Sequence, residues 1–112
     1  MIELSNLDTS KGVGYTNDNE ELYRRILGDF LEDYRDAVER LRELASSDLE
    51  NCIILAHSIK GLTAILGSDS LPELFCEIEL AAKTKVEDLN SKIDNVEAPF
   101  NALITELESL DL

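Results

Sequence analysis

The chain of 112 residues has no tryptophan, two prolines, five glycines, two cysteines and one histidine, and aromatic residues make up only 5% of it. Scarce proline and glycine leave few points at which a helix must end. The apolar share of 44% is drawn from Leu, Ile and Ala rather than from Val, Thr and Tyr, which argues for helix over sheet. Cys52 and Cys76 show no CxxC spacing and lie within apolar helical patterns. A disulfide framework or thiolate metal site is thereby disfavoured, and reduced core thiols in a cytosolic chain are expected. Cations are scarce too: 10 Lys and Arg against 24 Asp and Glu leave a net charge of -14. Nucleic acid and anionic membrane surfaces are excluded as partners on this count, because both require a cationic stripe. The acidity reads as a solvated exterior or, more narrowly, as a match to a complementary partner surface. No signal peptide is visible at the N-terminus, and no apolar run approaches membrane-spanning length.

What the chain does contain is amphipathic periodicity. Its length fits a single domain over residues 1–112 with one core. Residues 1–17 combine Ile2, Leu4 and Leu7 with Lys11-Gly12-Val13-Gly14, which suggests a short capping helix followed by a loop. Asp18 with Glu21 resembles an N-cap, and Leu22, Ile26, Phe30, Tyr34, Val38, Leu41 and Leu44 then recur at helical steps, predicting one long helix over about 19–45. Ser46-Ser47-Asp48 ends it and caps a second helix, which runs to Gly67. Ser70 and Glu73 match a capping box for a third helix, with Pro72 in its first turn, a stripe of Leu71, Leu74, Phe75, Ile78 and Ala81 or Ala82, and an end near Thr84. The last helix carries Val86, Leu89, Ile93, Val96, Phe100, Leu103, Leu107 and Leu110, with a kink or break expected at Pro99. Together these predict an all-α fold, an antiparallel up-down-up-down four-helix bundle over 18–112 with residues 1–17 as its cap.

The chemistry concentrates at His57, whose ring nitrogen is a nucleophile, ligand or base near neutral pH. On a helix over 49–67, Cys52, Leu55, Ala56, Ile59, Leu62, Thr63 and Leu66 form the core stripe. His57 falls opposite, beside Lys60, Gly61 and Ala64. Helical side chains lean toward the N-terminus, so a glycine at 61 leaves the imidazole uncovered, at a cost of about 1 kcal/mol in helix propensity. Its alternative reading is close helix packing, which its outward position disfavours. Lys60 is placed to offset charge on a phosphoryl group at the ring, although a surface lysine is often only solvated charge. Metal ligation lacks further ligands, and a Ser-His-Asp hydrolase lacks both a GxSxG turn and an oxyanion loop.

The run Ala56-His57 through Lys60-Gly61 to Gly67, with Leu71, Cys76, Ile78 and Glu79 downstream, resembles the histidine-containing phosphotransfer (HPt) domains of two-component phosphorelays. Gly12-Val13 through Asn17 to Leu22-Tyr23, and on to Leu27 and Phe30, resembles that family's entry into its long second helix. Leu62, Ile65 and Pro99 depart from the pattern. The resemblance implies that His57 accepts a phosphoryl group from the aspartate of a receiver domain and passes it to another receiver. The chain would then be a phosphocarrier and not an enzyme, cytoplasmic and monomeric, with no cofactor of its own, while the receiver supplies the acidic pocket and Mg²⁺. Its partners would be receiver domains of response regulators or hybrid sensor kinases, and the chain would stand alone or form the C-terminal part of such a kinase. Glu79 matches a glutamate that hydrogen-bonds the imidazole in phosphoacceptor domains of chemotaxis kinases; here it either orients His57 or is an exposed, uninvolved carboxylate. Ile53, Ile54 and Ile65 either rim a docking face or pack peripherally. Two rival functions remain at this stage, a chemotaxis-kinase-type phosphoacceptor and a helical interaction module whose histidine is never modified.

Overall fold

In a computed structural model that describes residues 4–110 and 112, the chain forms helices α1 (Thr9–Tyr15), α2 (Glu20–Tyr34), α3 (Ala37–Ser47), α4 (Leu49–Leu66), α5 (Leu71–Thr84) and α6 (Leu89–Glu108). No strand occurs among the described residues. The expected all-α class holds, and cross-helix bonds join the helices. Cys52 faces the Leu41 carbonyl of α3, His57 and Lys60 meet Glu79 of α5, Lys92 of α6 reaches Glu77, and Arg42 of α3 reaches Asp94 and Glu97. The links between α3 and α4, α4 and α5, and α5 and α6 are short and the linked helices pack on one another, so consecutive arms double back antiparallel, with α2 and α3 acting together as the first arm of the bundle. Phe30, Phe100 and Phe75 meet edge to face along the core axis, an arrangement favoured by their ring quadrupoles.

Several expectations are corrected. The capping helix starts at Thr9 and takes in the whole Lys11-Gly12-Val13-Gly14 segment, so the loop expected within residues 1–17 shrinks to the turn after Tyr15, because Asp8 accepts from the Lys11 amide and starts the helix there. Gly12 is required at that place: a Cβ would run into the Tyr23 ring and the Leu66 carbonyl. Leu7 is buried, and Leu4 packs against the core; Ile2 lies outside the described residues. The N-cap of α2 is Asn19, not Asp18, since Asn17 and Asp18 take positive φ in the connecting turn and only Asn19 reaches the extended cap conformation. The buried face of α2 is Tyr23, Leu27 and Phe30, while Leu22 is exposed. The Tyr23 hydroxyl donates to the Leu66 carbonyl at 2.7 Å, which draws that side of the helix inward.

The long first helix is interrupted at Arg35 and Asp36. Asp36, at φ -99 and ψ 19, leaves helical geometry, and Arg40 stabilises the break by donating to the Asp33 carbonyl at 3.0 Å while its guanidinium lies over Tyr34. The capping box of α5 does not form; Ser68, rather than Ser70, accepts from the Leu71 amide. Pro99 neither ends nor splits α6, which runs on to Glu108. Val86 is exposed in a single 3₁₀ turn before α6. Cys52 is a buried free thiol as expected, but Cys76 is exposed, since it lies off the Leu71, Phe75, Ile78 face. Finally, α4 at 18 residues is long and apolar enough to cross a membrane by length and composition, contrary to the expectation of no such run. Here it is the central helix, packed against α1, α2, α3 and α5.

Candidate functional site

Helix α4 is fixed at both ends. Asp48 caps its start by accepting from the Asn51 amide, and Gly67 ends it in the left-handed conformation at φ 101, where the Thr63 carbonyl accepts from the Ser68 amide at 2.9 Å. Gly67 lies against the Asp8 backbone so closely that a Cβ would collide with it, and its carbonyl accepts from the Asp8 amide. The short helix α1 therefore clamps the C-terminal end of α4. Between these ends Cys52, Leu55, Ala56, Ile59, Thr63 and Leu66 are buried and Leu62 is partly buried, as the helical wheel required.

His57 projects from the opposite side with 66% of its side chain exposed. Gly61 is also exposed, and a Cβ placed there would meet no atom within 4 Å, so close packing does not explain this glycine. Ile54 and Ile65 are exposed on α4, and Leu80 and Cys76 on α5. Ile54 and Ile65 put apolar surface on the His57 side of α4, whereas Leu80 lines the groove of α5 against α6 with Lys85, Asp88 and Lys92. Ile53, by contrast, packs against the core.

Glu79 settles the alternative left open by the sequence, because it is buried and engaged. Only 10% of its side chain is exposed, and both carboxylate oxygens lie 3.2 Å from His57 Nδ1. Lys60 Nζ donates to Oε1 at 2.9 Å, and Lys83 Nζ donates to Oε2 at 2.9 Å. The Lys60 hydrogen bond, followed by those from Lys83 and His57, outweighs desolvation and holds the Glu79 carboxyl down at about 2. Lys60 is in turn raised above its ordinary value, first by the hydrogen bond to Glu79. An ionised carboxylate only accepts hydrogen bonds. Nδ1 must therefore carry the ring proton, and the lone pair of neutral His57 resides on Nε2, the nitrogen further from Glu79.

The structure thus brings together His57, Lys60 and Glu79, with Gly61 leaving the ring open, and adds Lys83, which sequence reasoning missed. Its signal was the Glu79–Lys83 spacing of four on one helix; what could not be seen was that this pair would turn toward α4. Among the described residues, no three His, Cys, Asp or Glu side chains form a group able to hold a metal ion.

A family model described as Hpt domain matches residues 25–111. No curated protein and no solved structure matches the chain.

Proposed function

Because this chain belongs to the Hpt domain family, we propose that it is a cytosolic phosphorelay carrier in which His57 takes a phosphoryl group from a receiver aspartate and gives it to another. The observation that carries the reading is the pairing of an exposed Nε2 lone pair with an Nδ1–H held by an ionised carboxylate. In the loading step the Nε2 lone pair forms the N–P bond while the P–O bond to the receiver's aspartate breaks, and the aspartate leaves as a carboxylate. The ring then carries a positive charge with its proton still on Nδ1, donated to Glu79. Unloading reverses this: an aspartate oxygen attacks phosphorus, the P–N bond breaks, and the electron pair returns to Nε2. No proton is transferred in either direction, so the domain needs no general acid or base of its own.

Lys60 offsets the negative charge that gathers on the phosphoryl oxygens during transfer. Gly61 admits the receiver's acidic pocket to the ring, and Ile54 and Ile65, exposed on the same helix, supply apolar contact beside it. Mg²⁺ belongs to the receiver in this reading, and the chain works as a monomer. Incubation of the purified chain with a labelled, phosphorylated receiver tests the proposal. Acid-labile, base-stable label is expected on the chain, and none on the His57→Gln variant; equal labelling of that variant would refute the site.

The Glu79 contact also favours a second reading, a phosphoacceptor of the chemotaxis-kinase type fed directly by an ATP-dependent kinase domain. Labelling that occurs with such a kinase domain and not with any phosphorylated receiver would select it.

A further inference from the structure

We propose that Lys83 is a positioning residue for His57, keeping the Glu79 carboxylate on Nδ1 when Lys60 turns to the phosphoryl group. The inference rests on the phosphocarrier reading above. Its starting point is an excess of charge. A carboxylate that is 10% exposed needs one counter-ion, and Glu79 has two, with Lys60 on Oε1 and Lys83 on Oε2, each at 2.9 Å. Glu79, Lys60 and Lys83 together carry one surplus positive charge beside the imidazole.

The two lysines stand on different helices. Lys60 is one turn along α4 from His57, whereas Lys83 is one turn along α5 from Glu79. A phosphoryl group on Nε2 brings negative charge to the ring and draws the cation that shares its helix, Lys60. Were Lys60 the sole partner of Glu79, its departure would leave a desolvated carboxylate without a counter-ion close to a second anion, an arrangement that drives the carboxylate to take up a proton or to turn away. A protonated or displaced Glu79 no longer fixes the Nδ1 proton. Lys83 prevents this because its hold on Oε2 is anchored within α5, with Glu preceding Lys by four residues in the favourable order. The free and loaded sites thus share one fixed pair, Glu79 with Lys83, and one cation that changes partner.

The test loads the whole chain with phosphoramidate, which replaces the receiver as donor, and follows the ring ¹H and ¹⁵N resonances of His57 by NMR. In the unaltered chain a slowly exchanging Nδ1–H signal is expected before and after loading. In Lys83→Met it should persist before loading, when Lys60 still holds Glu79, and be lost after loading; Lys83→Arg should restore it. Transfer from the loaded chain to a receiver should fall about tenfold in Lys83→Met, the scale of one charged hydrogen bond. Lys83 is half exposed, so the melting temperature should change little. A loaded Lys83→Met chain with an unchanged Nδ1–H signal overturns the proposal, as does loss of the signal before loading. Failure of His57 to load in the unaltered chain overturns the phosphocarrier reading and takes this proposal with it, so the two failures are distinguishable.

Discussion

At the scale of single residues, the site depends on a carboxylate that is a poor base in a place where a good base would be harmful. Glu79 receives hydrogen bonds from Lys60, Lys83 and His57, so it orients the imidazole without removing its proton. Glu79→Gln preserves the shape but substitutes an amide that can present either an oxygen or an NH₂ to Nδ1. Part of the ring population should then carry its proton on Nε2. The expected outcome is slower labelling from a phosphorylated receiver by about tenfold, with ¹⁵N spectra showing a mixed tautomer; a single unchanged tautomer would contradict the assigned role. That His57, Lys60 and Gly61 lie off the core stripe was legible in the sequence because three- and four-residue spacing alone determines which side of a helix a residue occupies. The engagement of Glu79 was not, because it depends on how α5 lies across α4, and no periodicity within one helix contains that distance.

At the scale of elements, α4 is a rod held at both ends and left bare in the middle. Gly61 and Gly67 illustrate opposite uses of one residue type. Gly61 is helical with open space around it, so Gly61→Ala should stabilise the fold by about 1 kcal/mol through helix propensity. Gly61→Leu should leave the melting temperature near that of the alanine variant yet slow transfer, and unimpaired transfer would remove the access argument. Gly67→Ala forces a Cβ into a left-handed residue and against the Asp8 backbone. It should lower stability by about 1–3 kcal/mol, measured by denaturant unfolding, and loosen α1 from the end of α4. Boundaries that rest on one strong local signal, such as Asp48, Gly67 and Pro72, could be read from the chain. The break at Arg35 and Asp36 could not, because every residue there tolerates a helix, and what stabilises the break is Arg40 reaching back to the Asp33 carbonyl. The capping box at Ser70 and Glu73 also failed for a reason of backbone: Ser70 sits at φ -105 and ψ -36, in helical rather than extended geometry, and makes no side-chain cap bond.

At the scale of the whole molecule, a net charge of -14 surrounds a site where two lysines face one glutamate. The mismatch gives acid titration a clear signature. The folded-state pKa of Glu79 is about 2 against an ordinary 4.5, a depression, so its contribution to stability is complete above the ordinary value and is lost as pH falls toward the folded one. Glu106 is also held below its ordinary value: burial opposes ionisation, but hydrogen bonds from Ser5 and Asn6 outweigh it and tie the N-terminal segment to α6. Chemical denaturation as a function of pH should therefore show stability falling between about pH 4.5 and 2, and Glu79→Gln should flatten part of that fall. The antiparallel bundle itself followed from amphipathic stripes and short links. Which flanking apolar residues stay outside did not: Ile53, Ile54 and Ile65 read alike in the sequence, and only the packing of neighbouring helices buries part of Ile53 while leaving Ile54 and Ile65 exposed.

The central claim is that Nε2 of His57 is the atom that carries the phosphoryl group. Loading a ¹⁵N-labelled chain from a phosphorylated receiver and recording ³¹P–¹⁵N couplings reads that atom directly. Phosphorus is expected on Nε2 of His57 with the proton remaining on Nδ1, whereas phosphorus on Nδ1, or on any other residue, would contradict the proposed role of His57.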